Sequence, residues 1–358
     1  MTELENARVT DVTLGELLKD RNLVYYDATK PPFRLYGVYK EDGLYRRLPY
    51  SVAEATSPSV ANLSKVTSGG RLRFVVKNSS HIAIHVEGPG TAAWDISPVT
   101  GMHAFDGYNG TRFISVSRPG TAKSAHEHMF WADPKVENLI TLNFPLSAQI
   151  SDVYIGLDEG AEVLAAPDHY LETPILFYGS SITQGMCASR PGMIYQNHLS
   201  RWLDFNYTNL GFSGSAKAEP AISAYVASLN PSIFVYDYDH NAKTPEYLEE
   251  THEKMFLEFR EKHPDTPVLF LSRPNRSTPG SVIYQRMEIV KRTYERALER
   301  GDENVWFIPG GDLLDPEIET NYNVDNSHPN DLGFFSMAKA IKPVLKEMIE
   351  KVKARGVK

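Results

Sequence analysis

Four short stretches in the second half of the chain hold the residue types from which a nucleophile, oxyanion donors and a general base are assembled. They are Gly179-Ser180-Ser181-Ile182-Thr183-Gln184-Gly185, Asn209-Leu210-Gly211-Phe212-Ser213-Gly214-Ser215, Asp237-Tyr238-Asp239-His240-Asn241 and Asp325-Asn326-Ser327-His328-Pro329-Asn330. In the first, a glycine permits a tight exit and puts the serines at the head of whatever follows; the free N–H groups of a helical turn there would favour an oxyanion. The plain alternative is an N-cap cluster. The second has two glycines three apart, which let backbone N–H groups approach a ligand, or mark a simple β-turn. The third offers a carboxamide donor; its two carboxylates and histidine could instead be metal ligands, though their close spacing gives no standard zinc pattern. Its bland alternative is a capping Asn ahead of the helix over 245–262. In the fourth, a carboxylate three residues before a histidine can fix its tautomer and steady its imidazolium. The bland version of that stretch is a surface loop with a proline near a helix start. Two familiar patterns are missing. Thr183 stands where a G-x-S-x-G elbow ends in glycine, and no Gly-Lys-Ser/Thr follows to make a P-loop.

These stretches sit where an alternating strand–helix pattern places them. From about Thr173 the apolar runs ILFYG (175–179), SIFVYDY (232–238), PVLFLS (267–272) and VWFIPG (305–310) read as buried parallel strands. Helical spacing covers 192–203, 216–229, 245–262 and 281–300, with a last helix from near Asp331 toward Glu350. That alternation predicts an α/β domain, a parallel sheet covered on both faces, whose ligands gather at the carboxyl ends of the strands. The first ~165 residues read instead as strands and turns. RLRFVVK (71–77) and HIAIHVE (81–87) alternate around Asn78-Ser79-Ser80 as a hairpin with one buried and one wet face. TRFISVS (111–117), NLITLNF (138–144) and DVYIGLD (152–158) follow, and no amphipathic helix stands out. This density of short strands predicts an all-β jelly roll or β-sandwich. The expected division is residues 1–165 and 166–358, with the segment 160–173 as the link.

Bulk properties narrow the partners. The 358 residues are 42% hydrophobic and 23% charged, enough for a sizeable core in each half. The net charge of −8 and the lack of a long basic run argue against nucleic acid. A single cysteine, Cys187, rules out an intrachain disulfide and a Cys-rich zinc site. No apolar stretch has the length of a membrane span, and the polar start reads as cytoplasmic, though a secreted mature form would read the same. A homo-oligomer stays open. Tyr36, Tyr45 and Trp94 would serve a glycan or a neighbouring subunit if exposed, although aromatic residues are more commonly core.

Taken in chain order, serine, glycine, asparagine and Asp–His pair resemble the four blocks of the SGNH (GDSL-like) hydrolase superfamily, here GSSIT, GFSGS, DHN and DNSH. The resemblance runs from about residue 173 to the end, and D-x-x-H-P-N-D-L-G entering a helix is its most specific part. It implies a three-layer α/β/α, flavodoxin-like domain in which Ser181 is the nucleophile, His328 the base and then acid, and Asp325 its orienter. The oxyanion hole it implies is Ser181 N–H with Gly214 and Asn241, and it implies no metal or organic cofactor. Two positions depart from the pattern: Ser180 replaces the aspartate before the serine, and Asp239 replaces the third block's glycine. The first change occurs in carbohydrate-active branches. GSSITQGMCASRPGM, NLGFSGSAKAEP and YYDATKPPFRLYGV (25–38) resemble a subgroup with an N-terminal jelly roll, whose members are thought to be carbohydrate acetyl or acyl esterases, with some acyltransferases. Within it Gln184, Arg190 and Glu219 are candidates to shape the substrate pocket; the alternatives are a loop clamp for Arg190 and a first-turn helix acid for Glu219. The resulting expectation is a serine esterase removing acetyl-sized groups from a small-molecule or oligosaccharide ester. The alternatives are an acyltransferase using the same site, or a catalytically silent carbohydrate-binding protein.

Overall fold

A computed structural model describes residues 2–90, 94–120 and 125–358. The chain forms two compact units, and the division is not a single cut. The first holds the residues up to Arg47 together with Lys65–Asp168 and Ala188–Gly192; the second holds Leu48–Ser64, His169–Cys187 and Met193–Lys358.

The first unit is built on two antiparallel sheets. One has the order Arg8–Val9, Leu23–Asp27, Asp152–Asp158, His81–Glu87, His126–Trp131. The other runs Glu162–Ala165, Arg71–Lys77, Asn138–Asn143, Asp106–Asn109, Arg112–Val116, with Arg34–Tyr36 sharing an edge of Arg71–Lys77. Their inner faces meet in one core that includes Leu72, Phe74, Val76, Ile82, Ile84, Val86, Ile140 and Ile155, the arrangement of a sandwich. Tyr36 and Tyr45 belong inside, at 6% and 0% exposure, and Trp94 is half-buried.

Three expectations need correction here. The stretches 71–77 and 81–87 are strands but not a hairpin, because each joins a different sheet. Both are buried along most of their length, so neither has the wet face a hairpin lying on a core would show. The connection is held by Asp158, whose Oδ2 accepts from Ser80 and His81 N–H and whose own N–H donates to Ser79 Oγ. The segment 160–173 holds the change from the first unit to the second, between Asp168 and His169, but the strand-free stretch is shorter than expected: Glu162–Ala165 pairs with Arg71–Lys77, and Leu171 already begins the next strand. Finally, the first 165 residues do contain helices, Tyr50–Thr56 and Pro58–Leu63. Neither reaches two full turns, too short to print a period in the sequence. Their Ala53 and Val60, with Leu48 just before them, join the core of the second unit.

The second unit has five parallel strands in the order Phe205–Gly211, Leu171–Gly179, Ile233–Asp237, Val268–Leu271, Val305–Ile308. In chain order this is 2-1-3-4-5, the flavodoxin-like doubly wound topology. The central strands are buried on both faces, which is why they read as continuous apolar runs. Leu176, Tyr178, Phe234 and Tyr236 pack with the helices Pro220–Ser228, Pro245–Lys262 and Val282–Glu299. Phe177 meets Tyr195, which stacks on Phe334, bringing the helices Tyr195–Leu203 and Asp331–Ala354 to the other face. Three of these helices start on side-chain caps: Thr244 accepts from Tyr247 N–H, Ser281 from Tyr284 N–H, and Asn330 from Leu332 and Gly333 N–H. Among the described residues no helix is long and apolar enough to cross a membrane.

Candidate active site

In a 2-1-3-4-5 sheet the chain reverses direction between the first and third strands, and a crevice opens beyond their carboxyl ends. Leu171–Gly179 delivers Ser181 there, Phe205–Gly211 delivers the Gly214 turn, and Ile233–Asp237 delivers Asn241.

Ser181 opens a single helical turn, Ser181–Gln184, capped by Ser180 and closed by Gly185 at φ +95°. The N-cap bond that competes with a nucleophile reading therefore belongs to Ser180, whose Oγ accepts from Ile182 N–H at 3.1 Å. The Ser181 hydroxyl is left for another partner. The turn lies against bare backbone. A Cβ on Gly179 would stand 2.1 Å from Thr183 Oγ1 and 2.3 Å from Asp237 O, and one on Gly211 would stand 2.2 Å from Gln184 N. Thr183 ties the turn to the neighbouring strand by donating to Asp237 Oδ2 at 2.8 Å, while its carbonyl accepts from Gln196 and Asn209 side chains.

Ser181 Oγ lies 2.9 Å from His328 Nε2, and His328 Nδ1 lies 2.8 Å from Asp325 Oδ2. Asp325 Oδ1 also accepts from the backbone N–H of Ser327 and His328, at 3.1 and 2.8 Å. Partial burial pushes the Asp325 carboxyl up, but the His328 backbone and ring and the Ser327 N–H outweigh it and hold it below the ordinary aspartate range. A charged acceptor on Nδ1 fixes the proton there and leaves Nε2 free to take one from the serine. Asn326, at φ +64°, bends the loop so that the three-residue offset closes on itself.

The turn after Gly211 carries Gly214 at φ +66°, with open space where a Cβ would be. Asn241 Oδ1 accepts from Ala216 N–H at 3.4 Å, an orientation that turns the amide's donor end, Nδ2, the other way. Gln184 is fully buried and serves the same turn, its Oε1 accepting from Ser213 N–H at 2.9 Å. The structure thus gives Gln184 a supporting contact to the glycine turn rather than an exposed face. Glu219 is the N-cap residue of Pro220–Ser228 yet makes no capping bond. Burial raises its carboxyl against the pull of its own backbone N–H, Lys217 and Lys243, and its buried Oε2 finds no hydrogen-bond partner among the described residues.

Arg190 is held by partners of its own unit. It belongs to the first unit, where Nη1 pairs with the fully buried Asp106 at 2.6 Å and donates to Tyr108 OH, and the guanidinium lies 3.9 Å over the Phe113 ring. Asp106 also accepts from Gly192 N–H and Asn143 Nδ2. This is the loop-clamp reading. Arg190→Met strands a buried carboxylate and is expected to cost about 2–4 kcal/mol, read as a lowered urea midpoint.

The carboxylates of the third stretch are already engaged. Asp237 takes the hydroxyl of Thr183, with that of Tyr195 at 3.5 Å, and Asp239 Oδ2 accepts from Arg273 N–H. Among the described residues no three His, Cys, Asp or Glu side chains form a metal-ligand group. His240 is pushed down to about 3, first by burial and then by Arg273, His328 and Arg286, so it is neutral at ordinary pH; its Nε2 lies 3.3 Å from Ser327 Oγ. Asp237 moves the opposite way, raised to about 7 by burial first and Asp239 second. Its folded value lies above the unfolded one, so the stability it contributes is complete below the unfolded value and is lost as pH rises toward about 7. Asp237→Asn should flatten that decline, measured as urea midpoints at about pH 5 and about pH 8. Sequence reasoning missed Thr183, Gln196 and Asn209 because each is a common residue whose partner lies on another strand or helix.

A family model described as GDSL-like lipase/acylhydrolase matches residues 172–346, and one described as the N-terminus of SGNH-hydrolase-type esterases matches residues 23–163. No curated protein matches the chain. Among solved structures, a Bacteroides ovatus ATCC 8483 protein described as a GDSL-like lipase is 25% identical, with a TM-score of 0.81 over 92% of this chain and 98% of its own. The salicylyl-acyltransferase SsfX3 of a tetracycline biosynthetic pathway is 18% identical, with a TM-score of 0.73 over 95% of this chain and 100% of its own. An acetyl xylan esterase of the rumen bacterium Butyrivibrio proteoclasticus is 14% identical, with a TM-score of 0.60 over 92% of this chain and 99% of its own. The last two show a shared fold. Residues 172–346 of this chain belong to the GDSL-like lipase/acylhydrolase family, and residues 23–163 are the N-terminal domain that accompanies SGNH-hydrolase-type esterases.

Proposed function

We propose that this chain is a serine esterase that removes small acyl groups, acetyl first, from hydroxyls of a carbohydrate or related small molecule. The observation that carries the reading is the relay Ser181 Oγ–His328 Nε2, 2.9 Å, and His328 Nδ1–Asp325 Oδ2, 2.8 Å. His328 takes the hydroxyl proton as Ser181 Oγ attacks the acyl carbonyl carbon. The oxyanion that forms is met by Ser181 N–H, Gly214 N–H and Asn241 Nδ2. Collapse breaks the ester bond, and His328 returns the proton to the departing alcohol. Water, deprotonated by the same imidazole, then attacks the acyl-enzyme and releases the carboxylate and Ser181.

The carbohydrate half of the reading is supported by Ser180 in the place of the motif's aspartate, and the architecture is one that an acetyl xylan esterase also uses. The fold likeness to an acyltransferase favours a second reading, in which an alcohol rather than water resolves the same intermediate. Turnover of a panel of acetylated oligosaccharides, with competing alcohols present, separates the two. Free acetate as the main product supports the esterase, and transferred ester supports the transferase. No turnover of any acetyl ester by the folded chain, p-nitrophenyl acetate included, would sink both.

A further inference from the structure

In the second unit, the carboxyl ends of Ile233–Asp237, Val268–Leu271 and Val305–Ile308 help enclose a cavity of about 340 Å³, at the small end of ligand pockets. Two guanidinium groups line it, Arg273 and Arg276, and among the described residues neither has a carboxylate within ion-pair distance. Arg273 donates its backbone N–H to Asp239 Oδ2 and its Nη2 to Asn326 O, at 3.0 and 2.9 Å, while its Nε is buried without a partner. Arg276 is exposed, and among the described residues its guanidinium makes one hydrogen bond, 3.4 Å from Nη2 to Leu314 O. The carboxylate of Asp239 offsets part of the Arg273 charge without an ion pair to either guanidinium of the cavity: its Oδ2 accepts from the Arg273 backbone N–H, and its residue's carbonyl accepts from a third cation, Arg286.

A half-buried guanidinium with an unspent donor has lost hydration without full replacement, and a second one on the same small cavity adds repulsion. An oxyanion with two or three oxygens relieves both, because the fork of donors on arginine matches carboxylate and phosphate. The remaining wall includes Asn275, Tyr284 and the exposed carboxylate of Asp312, groups that pair with hydroxyls; the Asp312 carboxylate would in addition repel a bare anion placed beside it. We propose that this cavity binds the carboxylate or phosphate group of a small hydroxylated molecule, with Arg273 and Arg276 as the anion anchors and Asn275, Tyr284 and Asp312 taking the hydroxyls. Because Arg273 also holds the carbonyl of Asn326, next to Asp325, occupation of the site bears directly on the loop that carries His328. The binding site stands whether or not the esterase reading does.

The test uses the full chain carrying Ser181→Ala, so that turnover consumes nothing, titrated in a calorimeter with galacturonate, glucose 6-phosphate and glucose. Saturable binding of at least one acid, about tenfold or more tighter than glucose, is expected. Arg276→Gln should weaken it at least about tenfold with the melting temperature unchanged, and Arg276→Lys should recover part of the loss. The stronger of the two acids identifies the anion as carboxylate or phosphate. The proposal is overturned if neither acid binds saturably, if glucose binds as well as the acids, or if Arg276→Gln leaves the affinity where it was.

Discussion

Ser181→Ala is expected to abolish acyl-ester turnover, by about a thousandfold or more in kcat, while leaving the melting temperature nearly unchanged. Ser181 is buried, 3% exposed, and its hydroxyl meets the imidazole of His328 rather than a backbone group. A capping serine would behave the other way: its loss would cost about 1 kcal/mol of stability and leave the chemistry intact. Ser180, the residue that does cap the turn, supplies that control within the same protein. A fluorophosphonate probe adds a second readout, since it should label Ser181 in the parent and nothing in the variant. Asp325→Asn should fall between the two. The amide can no longer accept at Nδ1 as a charge, so the tautomer with a free Nε2 loses its support, and kcat should drop by about 10²–10⁴. Its carboxyl is held below the ordinary range, so it stays charged through the working pH. Labelling that persists in Ser181→Ala would remove the nucleophile from the reading.

How much of this was legible depends on how local the determining physics is. The helices Pro245–Lys262, Val282–Glu299 and Asp331–Ala354 are announced by the helical spacing of their apolar residues, a local signal, and each starts on a side-chain cap. The pair Asp325 and His328 is legible for the same reason, because three residues of one loop bring the two side chains together. Long-range arrangement was not. Alternation at 71–77 and 81–87 reports exposure along each strand, but says nothing about which sheet each strand enters, and the hairpin reading failed there. Arg190 is a pocket candidate through the resemblance of its stretch to the jelly-roll subgroup, with a loop clamp as the alternative. What decides its place is Asp106, a buried acid from a distant strand that no local pattern marks. Gln184 and Thr183 illustrate the converse. They stand inside the motif yet face the sheet, and only the register of the neighbouring strands shows what they hold.

Two glycines of the second stretch should respond to alanine in different ways. Gly211 ends its strand directly under the nucleophile turn, and an alanine Cβ would stand 2.2 Å from Gln184 N and 2.6 Å from Thr183 C. Both are backbone atoms of the turn that begins with Ser181, and that turn is fastened by Thr183 to Asp237 and by the Thr183 carbonyl to Gln196 and Asn209. It cannot move aside without breaking those bonds. Overpacking of this kind costs about 1–3 kcal/mol or more, and a displacement of roughly an ångström at a reacting group costs about a hundredfold in rate. Gly211→Ala should therefore lower both the urea midpoint and kcat. Gly214 meets nothing within 4 Å where its Cβ would be, but its φ of +66° lies in the left-handed region. Gly214→Ala should cost only the backbone strain, about 1–2 kcal/mol, and any larger fall in kcat would support the oxyanion role proposed for its N–H. The ratio of the two effects is the readout. If Gly211→Ala left kcat within a few-fold of the parent, the close packing of the 181–184 turn on that strand would not be what positions the serine.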